Sequence, residues 1–186
     1  MFNIEIKDKI VEHCVDVLKT QNFGQRSHSN GTYEQQLRGI IAEAVVQDLC
    51  GFDWVDGKGG CDGGVDLIIG EYTCDVKTMK RTVYPNKLHH VGNFPACQFN
   101  YGTDILIFTS INQTANVLTI CGWIPKDEFR KKSRLYKENE PRPRTDGTEY
   151  TTPYDQYEVG YKYLRKTLNA SHLMNQIYMG WNPIKA

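Results

Sequence analysis

The stretch VDLIIGEYTCDVKT, residues 65–78, constrains this chain more than any other. Apolar and polar residues alternate on both sides of Gly70-Glu71, with the period of two that marks half-buried strands. A glycine at the first of two connecting residues suits a type II′ turn, so the stretch predicts a β-hairpin. The short connection fixes the register: Ile69 faces Tyr72, Leu67 faces Cys74 and Asp66 faces Asp75. Val65, Leu67 and Ile69 then share a face with Tyr72, Cys74 and Val76, and that apolar face requires cover. Asp66, Ile68, Thr73, Asp75 and Lys77 stand on the other face.

Directly opposed residues on paired strands have Cβ atoms roughly 4.5–5.5 Å apart. Two carboxylates at that spacing repel, and burial would raise the pKa of one. A divalent cation removes the conflict by binding both. Mg²⁺ takes one or two carboxylates and fills its other positions with water and phosphate oxygens. Lys77 lies two residues beyond Asp75 and points into the same pocket. There it can hold or activate a water and meet charge growing on a scissile phosphate. Glu43 is the single carboxylate in IIAEAVV, residues 40–46, and is costly to desolvate without a partner. A helix beside the hairpin would bring it to the metal, directly or through water. Each residue alone has an ordinary reading: a solvated strand face for Asp75 and Lys77, a cap after a glycine loop for Asp66, and pairing with Arg38 for Glu43. Their joint register favours chemistry.

The flanking pattern predicts an α/β chain. Residues 4–20 have helical spacing, and a polar loop, QNFGQRSHSNG, follows. Thr-Tyr-Glu-Gln at 32–35 is a capping box opening a helix that Gly51 ends. Phe52–Val55 is a strand candidate, before a glycine-rich loop at 56–64 whose Asp56 and Asp62 fit turn chemistry. Residues 79–103 read as irregular or partly helical, with His89-His90 as a surface pair. Strands are expected at 104–111 and 116–124, a short helix from Pro125, a polar loop over about 133–155, and a helix-like tail from Tyr157 to Met179. The expected architecture is one domain over 1–186: a central mixed sheet of four or five strands with helices on both faces, a core at about 33–124 and a C-terminal extension from 125.

Composition sets limits. The chain has 186 residues, 40% hydrophobic and 24% charged, enough for its own core. No stretch approaches the roughly 20 apolar residues of a membrane span, and the charged N-terminus does not read as a signal peptide. Six cysteines without a CxxC pair read as reduced, mostly buried thiols. A cytoplasmic protein is expected. The net charge of zero is unusual for a nucleic-acid binder, but phosphate contacts need only one positive face.

The arrangement resembles the PD-(D/E)XK nuclease superfamily, with its restriction endonuclease-like fold. Val65-Asp66 matches the "PD" element, Asp75-Val76-Lys77 matches "(D/E)XK", and Glu43 lies on the preceding helix. The resemblance covers about residues 33–124 and departs at Val65, where the name has proline. It implies Mg²⁺ or Mn²⁺ held by Asp66, Asp75, Glu43 and the Val76 carbonyl. It also implies that Lys77 assists the attacking water and that a phosphodiester bond, in DNA above all, is hydrolysed. Some members carry a glutamine and a tyrosine on the next helix; Gln98 and Tyr101 are the candidates, spaced by three rather than four. Lys80 and Arg81 follow the site and either contact phosphates or solubilise the strand end. The segment from Lys126 to Arg144 interleaves basic and aromatic residues in a way that suits backbone and base contacts. The alternative is a non-cleaving nucleic-acid-binding module of the same fold. Cutting both strands of a duplex together would take two copies of a one-site domain, hence a homodimer.

Overall fold

The hairpin forms with the expected register. Strands β2 (Leu67–Ile69) and β3 (Tyr72–Arg81) run antiparallel, pairing Leu67 with Cys74 and Ile69 with Tyr72. Of the two turn residues only Gly70 has a positive φ, 66°, as a type II′ turn requires. A Cβ at Gly70 would lie 2.7 Å from the Tyr178 ring, which packs over the turn. The computed structural model describes residues 1–23, 31–56, 63–86, 88–112, 114–143, 147 and 149–180.

Helix α2 (Tyr33–Cys50) starts as its sequence dictates. The Thr32 hydroxyl accepts the Gln35 N–H, and the Gln35 side chain accepts the Thr32 N–H. Five strands build a mixed sheet in the order β1-β6-β5-β3-β2. Strand β5 (Ile105–Asn112) runs parallel to β3 and antiparallel to β6 (Val117–Pro125), which pairs with β1 (Phe2–Glu5). Every β5 residue is buried, as befits a central strand. One face takes α2 together with α1 (Asp8–Thr20) and α4 (Ala170–Gly180). Ile40, Ile41 and Val45 of α2 join Leu67, Ile69, Cys74 and Val76 in that core.

The other face departs from the expectation of helices on both sides. A second sheet, in the order β4 (Val91–Pro95), β10 (Gln156–Gly160), β7 (Arg134–Tyr136), covers it with the short helix α3 (Lys126–Lys132). Phe94, Leu106, Phe108, Phe129 and Val159 fill the core between. Strands β8 (Pro141–Pro143) and β9 (Glu149–Thr151) form a separate pair. Three further expectations are corrected. Phe52–Val55 is not a strand: its backbone is tied to the helices, with the Val55 N–H donating to the Gln47 side chain at 2.7 Å and the Val55 carbonyl 2.8 Å from His13 Nε2. Residues 79–103 hold the end of β3, all of β4 and a 3₁₀ turn at Ala96–Gln98. The tail begins as β10 and becomes helical only at Ala170. Cys14, Cys50, Cys74 and Cys121 are buried free thiols and Cys97 is an exposed one. Burial pushes Cys14, Cys74 and Cys121 up to about 12 and Cys50 to about 11, so they are unreactive. Cys61 and Asp62 lie outside the described residues. No described helix is long and apolar enough to cross a membrane.

Candidate active site at the open edge of the hairpin

Strand β2 is three residues long, so its ladder with β3 stops at Leu67 and leaves the β3 edge open beyond Cys74. Asp66 sits one residue outside the ladder, not in a paired position opposite Asp75. Its N–H donates to the Cys74 carbonyl at 2.9 Å. Its carboxylate hooks onto the open edge and accepts the Val76 N–H at 2.6 Å. In a strand the N–H and C=O of one residue point to the same edge, so the Val76 carbonyl faces the side that Asp66 occupies. The loop before Asp66 is fixed by Gly64, whose carbonyl accepts the Thr103 hydroxyl at 2.6 Å. A Cβ at Gly64 would stand 2.8 Å from the Tyr101 ring, so only glycine lets the loop pass.

Asp75 and Lys77 project from β3 toward the second sheet, alongside Leu106 and Phe108 in the β5 register. Asp75 is 1% exposed and forms an ion pair with Lys77, itself 16% exposed. The Lys77 ammonium also lies 5.5 Å from the centre of the Phe94 ring. This face is a largely buried, walled pocket rather than a solvated strand surface.

Glu43 lies half-buried on α2, and Gln47 one turn later ties the parts together. The Gln47 amide N–H₂ donates to Glu43 at 3.2 Å and to the Asp66 carbonyl at 2.8 Å, while its oxygen accepts from Val55. Burial, with the Asp75 and Glu43 carboxylates nearby, pushes the Asp66 carboxyl well above the usual range. Lys77 and the Val76 N–H pull the other way. The four expected residues therefore share one electrostatic neighbourhood, in which burial first and the neighbouring carboxylates second disfavour charge on Asp66.

A cleft of about 1610 Å³ opens over this edge. Glu43, Asp66, Val76, Lys77, Lys80, Gln98 and Tyr101 all line it. Arg81 does not: its guanidinium donates to the Val91 carbonyl at 2.7 Å and lies over the Tyr161 ring, holding β4 in place. Among the described lining residues, three cations (Arg38, Lys77, Lys80) face six carboxylates (Glu43, Asp53, Asp56, Asp66, Glu138, Asp155). Two residues that the sequence reading did not single out matter here. Gln47 was detectable as the polar residue one helical turn from Glu43. Lys126 was legible only as the start of the basic and aromatic segment, not as a neighbour of Asp75 and Lys77. It comes from α3, donates to the Tyr101 carbonyl, and is desolvated near Asp75 and Lys77.

The donor set suits a hard cation: carboxylates of Asp66 and Asp75 with the Val76 carbonyl, all oxygen. Among the described residues no three His, Cys, Asp or Glu side chains stand close enough to hold a metal ion. Glu43 would thus act through water, and water or phosphate would fill the remaining positions. No family model, no curated protein and no solved structure matches the chain.

Proposed function

We propose that this chain is a metal-dependent nuclease of the PD-(D/E)XK kind that hydrolyses phosphodiester bonds, in DNA above all. The observation that carries the reading is the shared neighbourhood of four residues: Asp66, Lys77 and Glu43 line a long cleft, and Asp75 is buried beneath it, ion-paired to Lys77. The sequence order of helix α2, hairpin and β5 parallel to β3 is compatible with the restriction endonuclease-like fold. Asp66, Asp75 and the Val76 carbonyl would hold Mg²⁺ or Mn²⁺, with Glu43 in support through water. A bound cation supplies Lewis acidity and neutralises charge on the scissile phosphate. Lys77, anchored by Asp75 and walled by Phe94, holds the attacking water and offsets the developing negative charge. Gln47 positions Glu43 and the Asp66 backbone without touching substrate. Lys80, Gln98 and Tyr101 contact the nucleic acid from the cleft walls.

The test is incubation with plasmid and single-stranded DNA in Mg²⁺, Mn²⁺ or EDTA. Cleavage is expected only with metal, and is expected to be lost in Asp75→Ala and Lys77→Ala. Lys77→Arg keeps the ion pair and hence the fold, and is expected to lose activity by about 100-fold or more. Undiminished cleavage by Lys77→Arg would remove the lysine's role. Cleavage in EDTA would remove the metal. Metal-dependent binding without cleavage would favour a non-cleaving module.

A further inference from the structure

The cleft has a shortage of positive charge for a polyanionic substrate, with three cations against six carboxylates. Positive charge is concentrated elsewhere, along α3 and the turn at Tyr161–Tyr163. The last turn of α3 carries Arg130, Lys131 and Lys132 in succession, all exposed. Arg130 lies 5.4 Å and Lys126 5.5 Å from the centre of the Phe99 ring, beside the cleft residues Gln98 and Tyr101. At the other end, Tyr163 is 44% exposed, with the ammonium groups of Lys132 at 5.7 Å and Lys162 at 5.0 Å from its ring centre. The α3 carboxylate Glu128 is taken up by Arg165 at 2.8 Å. Asp127 is then the only α3 carboxylate left to oppose five amino or guanidinium groups.

We infer that this ridge, Lys126-Arg130-Lys131-Lys132 with Lys162 and Tyr163, binds the backbone of single-stranded nucleic acid and leads it to the rim of the cleft. The ridge runs from one aromatic ring to the other. Cations that track a backbone, interleaved with rings that take unstacked bases, form the pattern of single-strand binding surfaces. Paired duplex bases would have no use for the exposed Tyr163 ring. The inference deepens the nuclease reading by naming a single strand as its substrate, and it rests on that reading only for the direction of travel.

The experiment measures binding of a fluorescein-labelled oligothymidylate by anisotropy, in EDTA, across a salt series. It compares the wild-type protein with the triple variant Lys131→Ala, Lys132→Ala, Lys162→Ala. These surface residues lie outside the catalytic cluster. Each single-strand phosphate contact contributes about −0.7 to the slope of log affinity against log salt. The triple variant is therefore expected to bind tenfold or more weakly, with a slope shallower by about 1.5 to 2. Tyr163→Ala is expected to weaken binding with an unchanged slope. In cleavage, the triple variant is expected to raise KM and leave kcat in place. Equal affinity and slope in wild type and triple variant would overturn the inference. So would wild-type protein that ignores the oligonucleotide but binds anionic phosphatidylserine vesicles through the same lysines. The two readings fail separately. Weakened binding by the triple variant, with no cleavage by any protein, sinks the nuclease and keeps the ridge. Metal-dependent cleavage with a normal triple-variant KM sinks the ridge alone.

Discussion

Asp66 holds a charge that its buried surroundings disfavour, and its linkage to folding follows from that. Its folded pKa is raised above its unfolded value by burial and by Asp75 and Glu43. The folded state therefore binds the proton more tightly than the unfolded chain does. That stabilisation is fully present below the ordinary aspartate value of about 3.9 and is lost as pH rises through the raised folded value. Without metal, Asp66 therefore supports folding less at neutral pH than at acid pH. Asp66→Asn keeps an acceptor for the Val76 N–H and removes the charge. It is expected to raise the thermal midpoint of the metal-free protein at pH 7, by about 2–4 °C for each kcal/mol recovered. It is also expected to flatten the fall in midpoint with rising pH and to abolish cleavage. Scanning calorimetry in EDTA checks this, and a lower midpoint at every pH would show that the charge is not strained. Lys77→Ala works the other way, because it strips a 1%-exposed carboxylate of its ion-pair partner. A loss of up to about 3 kcal/mol is expected in metal-free protein, read by urea unfolding and largely restored by added Mg²⁺.

At the scale of elements, the hairpin and α2 were legible because local rules fix them. A two-residue turn sets register, and a capping box sets a helix start. What the register alone could not give was the end of the ladder. Strand β2 stops at Leu67, so Asp66 reaches the open edge through a side-chain bond to Val76 rather than facing Asp75 across a paired position. Gly70→Ala is expected to cost about 1–2 kcal/mol, since φ is 66° and alanine resists left-handed backbone. The displaced Tyr178 ring would add to this. Gln47→Ala would strip partners from the Val55 N–H and the Asp66 carbonyl together. It is expected to cost about 1–3 kcal/mol by denaturant unfolding and to lower kcat through Glu43 and Asp66 without contact to substrate. An unchanged kcat in Gln47→Ala would remove its positioning role.

At the scale of the whole molecule, the five-stranded mixed sheet agreed with its sequence pattern and the covering of its second face did not. Strands β4, β7 and β10 are three to five residues long, and β10 pairs with β7 across about twenty residues of chain and with β4 across more than sixty. Such segments have weak local periodicity, and their partners are set by tertiary packing rather than by propensity. That second sheet buries Asp75 and leaves Lys77 at the wall of the cleft, where an isolated strand would expose both. The sequence pointed to the candidate site residues, and the long-range pairing made their pocket. The proposed mechanism requires Asp66 and Asp75 to act together as a cation site. Titration of metal-free protein with Mn²⁺, followed by electron paramagnetic resonance, tests this most directly. Wild-type protein is expected to bind Mn²⁺, Asp66→Asn and Asp75→Asn to lose that binding, and Lys77→Ala to bind more tightly because the competing ammonium is gone. Equal Mn²⁺ binding by the wild type and both asparagine variants would contradict the account.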